Sequence, residues 1–334
     1  GLMRHLRNQG IKISGTKQKR QLRNTGYFHG YKGYRFFKNS QTRLKFTDYQ
    51  EVYATIQYDS KLKGLFYSKI MFIETAIKNI ALECILKNTH SETIQSMYDK
   101  VISSYHNSPK NFTPDQKKKC QENKLNLQKS VQYSLAEAYK RGNPQITHFY
   151  NKANYSGVPI WALFEILTMG DFGHLLSCLT KKVREDISKE LGINLACDTN
   201  RTLVYKYIYT LKDLRNSIAH NAVVFDTRFR RFDSSKPMQE CLKQDIGLPY
   251  VNFKTIGDYV ILMCYYLKIL HVSKTEIKGF IKEFEDCKKA DGNDHMIIGW
   301  YDNSMNVSSR QGLLQNGIYY MQEYASSKHI NENL

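Results

Sequence analysis

The sequence predicts an all-α protein, and three observations support this fold class. Apolar residues recur at three- and four-residue spacing over several long stretches, which places them on one face of a helix. Residues that favour helix ends flank these stretches. The apolar–polar alternation of half-buried strands is scarce. At 334 residues, with 41% hydrophobic and 24% charged residues, the chain is long enough to bury a sizeable core.

The first long helix is expected to begin near Thr47, which can cap it, with Glu51 in the first turn. We expect Gly64 to bend or divide this helix. Its repeating apolar positions include Val52, Ile56, Leu62, Phe66, Ile70, Ile73, Ile77 and Ile85.

Further helices follow from the same periodicity and from the turn residues between the patterns. They are expected at Ser91–His106, Asp115–Arg141, from Pro159 onward, Leu175–Leu191, around Leu203–Ile218, Lys254–His271 and Lys274–Lys288. Gly170 or Gly173 should close the helix that begins at Pro159, and Asp198 or Thr199 should cap the one near Leu203. Residues 225–249 are expected to form a loop, and residues 291–334 show a mixed pattern that predicts no element.

This pattern divides the chain into three consecutive segments. Residues 1–46 form a basic and aromatic segment that should pack on the core. Residues 47–235 form the helical core, and residues 236–334 form a C-terminal helical extension. The glycine- and aromatic-rich stretch at residues 26–37 should be irregular, because alternating glycines disfavour a helix. We favour a packed turn whose rings fill the core over a platform that stacks bases.

The formal net charge of +18 is the strongest bulk signal, because such an excess attracts polyanions, chiefly nucleic acid. The alternative is a lysine-rich composition typical of AT-rich genomes. Four basic residues near the N-terminus are candidates to contact RNA phosphates, although they could equally be solvated: Lys12, Lys17, Lys19 and Arg20. A tyrosine count of 24 adds possible stacking surfaces.

Several classes of protein are disfavoured. The apolar runs are too short and too interrupted to span a bilayer, and no apolar signal core stands at the N-terminus, so a cytoplasmic protein without a membrane partner is expected. The seven cysteines are scattered and include no C-x-x-C pair, which predicts neither a zinc site nor a disulfide scaffold. No glycine-rich phosphate loop supports a nucleotide cofactor, so we expect no metal and no cofactor.

The stretch from Leu211 to His220 carries the chemistry, because it joins Arg215, Asn216 and His220 at the end of a predicted helix. RNA can be cut without metal when its own 2′-hydroxyl attacks the adjacent phosphate. Histidine suits the two proton transfers, and the planar guanidinium of arginine suits the phosphate. Asn216 lies four residues before His220 and shares its face, so it could hold His220 or the phosphate.

Helical geometry predicts that one chain is not enough. Arg215 and His220 are five residues apart, so their directions differ by about 140° on an α-helix. Two copies of this helix facing each other across a two-fold axis would form a cleft with two histidines and two arginines. The sequence therefore predicts a composite active site in a homodimer.

The spacing alone is weak, because two other pairs show a similar one. Arg23 precedes His29 and Arg141 precedes His148, but glycines interrupt both stretches, and a proline also interrupts the second. Neither pair can lie within a regular helix. The helical context of Arg215 and His220 distinguishes their motif from these two.

The motif and three further blocks resemble one family in the same order along residues 15–235. Arg215-Asn216-Ser217-Ile218-Ala219-His220 resembles the R-N-x-x-A-H signature of HEPN ribonucleases. The companion blocks resemble the Abi family (AbiD/AbiF-like) of bacterial abortive-infection proteins. These blocks are Gly26–Phe37 (G-Y-Y…G-Y…F), Tyr58–Leu62 with Ile73-Glu74 (D-x-x-L-R…I-E), and Pro159-Ile160-Trp161 with Glu165 and Gly170 (P-x-W…E…G).

This resemblance implies a HEPN-type helical bundle that dimerises, cleaves RNA without metal and is toxic in anti-phage defence. It also implies a possible cognate small non-coding RNA as a restraining partner. Three positions depart from the family pattern. Asn221 replaces a second histidine and is a supporting candidate, Lys61 stands near the usual Leu-Arg, and Lys78 replaces an arginine after Ile73-Glu74.

The remaining candidates each carry an alternative. Glu165 could support the active site or be a plain surface carboxylate. Arg228, Arg230 and Arg231 could hold RNA backbone or form an ordinary basic loop. At the level of function, the alternative to an endoribonuclease is a non-catalytic RNA-binding module or assembly protein. An enzyme that modifies RNA or protein is a weaker third hypothesis.

Overall fold

The structure, a computed structural model, describes residues 1–152, 157–231, 234–247 and 251–287. This part of the chain forms thirteen α-helices, a single π-helical turn and no strand, which confirms the predicted all-α class. No helix within these ranges is long and apolar enough to cross a membrane. The helices are α1 Leu2–Asn8, α2 Gly15–Tyr27, α3 Tyr49–Thr89, α4 Ile94–Lys100, α5 Pro114–Lys140, α6 Pro144–Tyr150, α7 Ile160–Ile166, α8 Met169–Cys178, α9 Lys181–Glu190, α10 Leu203–Ala219, α11 Lys236–Ile246, α12 Ile256–Ile269 and α13 Lys274–Cys287.

The chain divides into two compact units that interleave along the sequence. The first unit contains Gly1–Met71, Asp213–Ser235 and the described residues from Leu242 onward. The second contains Phe72–Lys212 and Lys236–Cys241. The consecutive segments 1–46, 47–235 and 236–334 stay a prediction from the sequence pattern, and helical periodicity carries no information about which helices contact each other.

In the first unit, the glycine- and aromatic-rich segment is irregular and largely buried. Gly26 takes a positive φ of 71° and ends the regular part of α2, and the π-helical turn Phe28–Lys32 follows. Tyr31 and Tyr34 are almost fully buried, as expected for rings that fill the core, whereas Phe28 remains exposed. The predicted packed turn is therefore confirmed for the buried rings.

The long helix α3 begins one residue later than expected and is not divided. The Asp48 carboxylate, not Thr47, caps it by accepting from the Gln50 backbone N–H at 2.7 Å. The Glu51 carboxylate accepts in return from the backbone N–H of Asp48 at 3.3 Å. The helix continues through Gly64 without interruption.

In the second unit, α5 packs against α6, α7 and α8. Its start agrees with the expected helix at 115–141, since Thr113 and Gln116 form a capping box around Pro114. The apolar side of α5 is buried through Leu127, Val131 and Leu135. The remaining polar side of this helix forms one wall of a cavity that is described below.

Several expected helix boundaries were wrong. The helix expected at 91–106 is only α4, Ile94–Lys100, capped by Thr93. The helix after Pro159 ends at Ile166, and Gly170 and Gly173 lie inside the next helix, α8. A Cβ at Gly173 would lie 3.0 Å from the ring of Tyr209, so close packing, not helix termination, explains this glycine.

Two further expectations failed and two held. The single helix expected at 175–191 is broken between α8 and α9, and the loop expected at 225–249 contains α11. The helices expected at 254–271 and 274–288 are present as α12 and α13. The unassigned stretch 291–334 lies outside the described residues.

Candidate active site

The helix that carries the motif, α10, begins at a buried carboxylate. Asp198 accepts from the backbone N–H groups of Thr202 and Leu203 at 2.7 and 3.1 Å, so it satisfies two donors that helix starts leave without partners. Asp198 or Thr199 was expected to cap the helix; α10 begins at Leu203, and Asp198 binds the N–H groups at its start from five residues earlier in the sequence. The apolar face is buried as expected, at Leu203, Tyr207, Ile208, Leu211 and Leu214.

The other end of α10 is a Schellman motif, and His220 is its last residue before the turn. The Asn221 N–H donates to the Ile218 carbonyl at 3.0 Å, and the Ala222 N–H donates to the Ser217 carbonyl at 2.8 Å. Asn221 has a φ of 51°, in the left-handed region that asparagine tolerates better than most residues. The residue directly after the motif therefore fixes where the helix ends and where His220 stands.

Arg215 and His220 differ in their surroundings. The Arg215 Nη1 donates to the Asn216 Oδ1 at 3.3 Å, so the Asn216 side chain contacts Arg215, and the expectation that it holds His220 is not met. His220 is linked to Asn216 only through its backbone N–H, at 2.9 Å. The His220 side chain is exposed and makes no hydrogen bond or ion pair with any residue the structure describes.

Asp59 of α3 is a buried carboxylate that binds the segment following the motif. It is fully buried, and its Oδ1 accepts from the backbone N–H groups of Val224 and Phe225, both at 2.8 Å. Its Oδ2 accepts from the Tyr34 hydroxyl at 2.8 Å. One carboxylate thus joins the aromatic segment, α3 and the chain that leaves the motif.

Lys63, one turn further along α3, extends this network to the end of α10. Its ammonium lies 2.8 Å from the Asp59 Oδ2 and donates to the Asn221 Oδ1 at 2.9 Å. Lys63 is only 8% exposed, so the ion pair is shielded from solvent. Asp59 and Lys63 therefore hold the residue that follows His220, and this supports the expected supporting role of Asn221.

Sequence reasoning missed Lys63, although a signal was present. In the D-x-x-L-R block that begins at Asp59, the position after Leu62 is Lys63, so the basic residue of that block is kept as lysine. The exposed Lys61, which was named as the departure, lies one position before Leu62. The four-residue spacing of Asp59 and Lys63 was the readable sign of an ion pair.

Tyr34 is confined to its neutral form by the same network. Burial raises the pKa of the Tyr34 hydroxyl well above its usual value, and the Asp59 carboxylate raises this pKa further. Because the phenol stays protonated, it can always donate its hydrogen bond to Asp59. Tyr34 therefore has a structural role and does not act as a general base.

The predicted RNA-contacting arginines fall into different environments. Arg228 is an internal tie, because it pairs with the Asp226 carboxylate and donates to the carbonyls of Gly33 and Phe36, each at 2.6 Å. Because its guanidinium already binds these three groups, Arg228 is not expected to contact RNA. Arg230 donates to the Asn252 carbonyl at 2.9 Å, whereas Arg231 is exposed.

The basic residues near the N-terminus are accessible. The side chains of Lys12, Lys17, Lys19 and Arg20 are all exposed. Three of them lie on α2, and Lys17 and Arg20 share one face of that helix. The backbone of Lys12 is held in place by hydrogen bonds to Thr47 and Tyr49.

Two residues of the companion blocks belong to the second unit. Lys78 pairs with Glu74 at 3.0 Å and donates to the Leu167 carbonyl at 2.8 Å, so it acts as a structural cation at the position where an arginine was expected. Glu165 is exposed on the last turn of α7 and lines a cavity of that unit. No cluster of three or more metal-ligating side chains occurs among the described residues.

The fold and the site define a helical protein whose conspicuous chemical group is an exposed histidine at a fixed helix end. A family model described as Abi-like protein matches residues 20–226, which is more than half of the chain. The chain therefore belongs to the Abi-like family, which suggests a role in abortive infection and is consistent with a nuclease. Searches of curated proteins and of solved structures found no match.

Proposed function

We propose that this Abi-like protein is a metal-independent endoribonuclease of anti-phage abortive infection. The observation that carries the proposal is the exposed imidazole of His220, which stands at a helix end fixed by the Asn221–Lys63–Asp59 network, within the same motif as Arg215. The motif therefore offers an accessible proton-transfer group and a guanidinium for phosphate. It matches the R-N-x-x-A-H signature that the HEPN ribonucleases share.

The proposed reaction needs only groups of the protein and the RNA. The 2′-oxygen of a ribose bonds to the adjacent phosphorus while the bond from phosphorus to the 5′-oxygen breaks. One imidazole accepts the proton of the 2′-hydroxyl, and an imidazolium returns a proton to the leaving 5′-oxygen. The products are a 2′,3′-cyclic phosphate and a 5′-hydroxyl. Arg215 stabilises the extra negative charge on the phosphoryl oxygens.

The two proton transfers favour a dimer. One histidine has to be neutral and the other protonated at the start of each cleavage, and a single chain offers only one histidine in the motif. We therefore propose that two α10 helix ends meet across a two-fold axis and share the substrate phosphate. Arg215 and His220 of one chain point about 140° apart on the helix, so they cannot easily contact the same phosphate. In the dimer, the phosphate can contact Arg215 of one chain and His220 of the other.

The exposed basic residues provide a grip on the RNA backbone. Five of them are accessible for phosphates: Lys12, Lys17, Lys19, Arg20 and Arg231. The half-buried Arg230 directly precedes Arg231 in the sequence. The same residues would bind a cognate small RNA that restrains the toxic activity. Their exposure is also the observation that favours the second candidate, an RNA-binding module without catalysis, since phosphate contacts need no intact Arg/His pair.

The test is cleavage of total RNA in EDTA by the wild-type protein, His220→Ala and Arg215→Ala, with His148→Ala as the matched control. His148 is also an exposed histidine in the last turn of a helix, so its removal should leave cleavage unchanged. We expect both motif variants to lose at least a hundredfold in rate while their circular dichroism stays native. Full cleavage by His220→Ala would refute the site, and bound but uncut RNA with the wild type would favour the RNA-binding module.

A further inference from the structure

We propose that a cavity of about 480 Å³ in the second unit binds a guanine base. The cavity lies between the polar side of α5 and the turn that joins α7 to α8, and its volume is in the range of small-ligand sites. The proposal rests on the proposed function, since it takes RNA as the main source of the base.

One polar group of the cavity wall, the Asp171 carboxylate, is already hydrogen-bonded within the protein and has a structural role. Asp171 accepts from the Ser130 hydroxyl at 2.5 Å and from the Thr168 hydroxyl at 2.7 Å. Its own backbone N–H donates back to Thr168 at 3.2 Å. These bonds join α5 to the start of α8, so the opposite walls are held at a fixed separation.

Other polar groups in the cavity have no partner in the described part of the chain. The Glu165 carboxylate, the Ser134 hydroxyl and the Tyr133 side chain make no hydrogen bond or ion pair there. Tyr133 is 69% exposed, so the face of its ring is accessible. Arg141 contacts only Glu137, at 3.5 Å, and its side chain is 78% exposed at the rim.

The charge of the lining selects the kind of ligand. Three acidic residues, Glu137, Glu165 and Asp171, line the cavity together with one basic residue, Arg141. This acidic lining stands in a chain of net charge +18, so it repels a phosphate at its centre and favours a group that donates hydrogen bonds. Glu165 is the carboxylate left to receive those donors.

Guanine is the base that matches this set. Its N1–H and 2-amino group are two parallel donors, which a single carboxylate can accept together. Adenine, cytosine and uracil do not place two donors from neighbouring ring positions side by side. The Tyr133 ring can stack on the base, the Ser134 hydroxyl can donate to O6, and Arg141 at the rim can contact the attached phosphate.

The test measures binding by calorimetry in a His220→Ala background, in which RNA stays intact. The mononucleotides are GMP, IMP and AMP, and the oligomers are pentauridylates with a central G or A. We expect GMP to bind at least tenfold more tightly than AMP, with IMP between them because it lacks the 2-amino group. Glu165→Gln and Tyr133→Leu should each weaken GMP at least tenfold. The control variants Glu122→Gln and Tyr139→Leu, which alter exposed residues of α5 outside the cavity, should not.

The same measurements show whether the base comes from RNA or from a free nucleotide, and whether a cation such as spermidine binds instead. Tighter binding of the G-containing oligomer than of GMP assigns RNA, and the reverse assigns a free guanine nucleotide. Equal affinity for GMP and AMP, no effect of Glu165→Gln, or tighter binding of spermidine than of GMP would overturn the guanine site. Cleavage without GMP binding refutes the cavity alone, whereas GMP binding without any cleavage by the wild-type protein refutes the proposed ribonuclease alone.

Discussion

At the scale of single residues, His220 is positioned by its neighbours and not by contacts of its own side chain. The Schellman turn at Asn221 ends the helix, and the Lys63 ammonium donates a hydrogen bond to the Asn221 side chain. The buried Asp59 holds Lys63 and, through two backbone N–H groups, the chain at Val224 and beyond. The imidazole is therefore accessible while its Cα is fixed, a combination that suits proton transfer to a bound polymer.

We predict that Lys63→Met lowers the free energy of unfolding by about 3 kcal/mol, because it leaves the buried Asp59 without its countercharge. This loss lies at the low end of the range for removing one partner of a buried ion pair, because Asp59 keeps three other hydrogen-bond donors. Cleavage should slow as well, because Asn221 loses its partner. Urea denaturation and the cleavage rate measure the two effects.

Two matched variants control this prediction. Lys63→Arg restores the basic residue typical of the family block and should keep most of the stability. Lys87→Met breaks the exposed pair with Glu83, which has the same four-residue spacing on α3, and should change stability by less than about 0.5 kcal/mol. Wild-type stability of Lys63→Met would contradict the proposed role of the ion pair.

The motif could be found from the sequence, but its support could not. Arg215, Asn216 and His220 stand in one short stretch, so their chemistry is readable without a fold. Lys63 lies more than 150 positions before Asn221, and nothing in a lysine marks it as buried. Asn216 shows the same limit, since helical spacing placed it beside His220 while the side chain turns to Arg215.

At the scale of elements, α2 carries exposed basic side chains that we propose as RNA contacts. We predict that the double variant Lys17→Ala/Arg20→Ala weakens RNA binding and reduces the slope of log affinity against log salt by about 1.4, at about 0.7 for each lost phosphate contact with single strands. Unfolding should be unaffected, because both side chains are exposed. Affinity measured between 50 and 200 mM salt, roughly the range in which such slopes are resolved, gives the result.

Arg228→Lys is the control for this helix, because it keeps the charge but not the planar fork. It should leave the salt slope unchanged and lower the free energy of unfolding by about 1–2 kcal/mol, since an ammonium cannot serve Asp226, Gly33 and Phe36 together. A loss of less than about 0.5 kcal/mol for Arg228→Lys would contradict the internal role assigned to this arginine. An unchanged slope for the α2 double variant would exclude α2 from the RNA surface.

Periodicity predicted the helices that bury a regular apolar stripe, such as α3, α5, α12 and α13. It failed where local sequence has two meanings. Gly173 resembles a helix stop, but it lies inside α8 because the Tyr209 ring leaves no room for a side chain. Helix α11 lies in the stretch 225–249 that was expected to be a loop, and a proline such as the one in its first turn is compatible with either structure.

At the scale of the whole molecule, the sequence predicted the all-α class, which the structure confirms, but not which helices group together. The dimer stays a prediction. The two units interleave, so contacts between distant positions such as Asp59 and Val224 decide the grouping. Such pairings depend on tertiary contacts that no local pattern specifies.

The proposed dimer predicts that an inactive chain inactivates its partner. Refolding the wild-type protein with an equal amount of His220→Ala should lower the rate per wild-type chain to about half, because about half of the wild-type chains then lie in mixed dimers that keep only one of the two histidines. Refolding with His148→Ala is the control and should leave the rate per wild-type chain no lower. An unchanged rate with His220→Ala after verified mixing, with a dimeric mass in sedimentation, would contradict a composite site.

The central claim is that Arg215 and His220 cut RNA through the RNA's own 2′-hydroxyl without metal. The most direct measurement is the mass of the products from one defined oligonucleotide incubated with the protein in EDTA, beside the same oligonucleotide carrying a single 2′-deoxy sugar at the cleaved position. We predict a 2′,3′-cyclic phosphate and a 5′-hydroxyl end from the first, and no cleavage at the substituted position of the second. Equal cleavage of the deoxy-substituted strand, or the same products from His220→Ala, would contradict the claim.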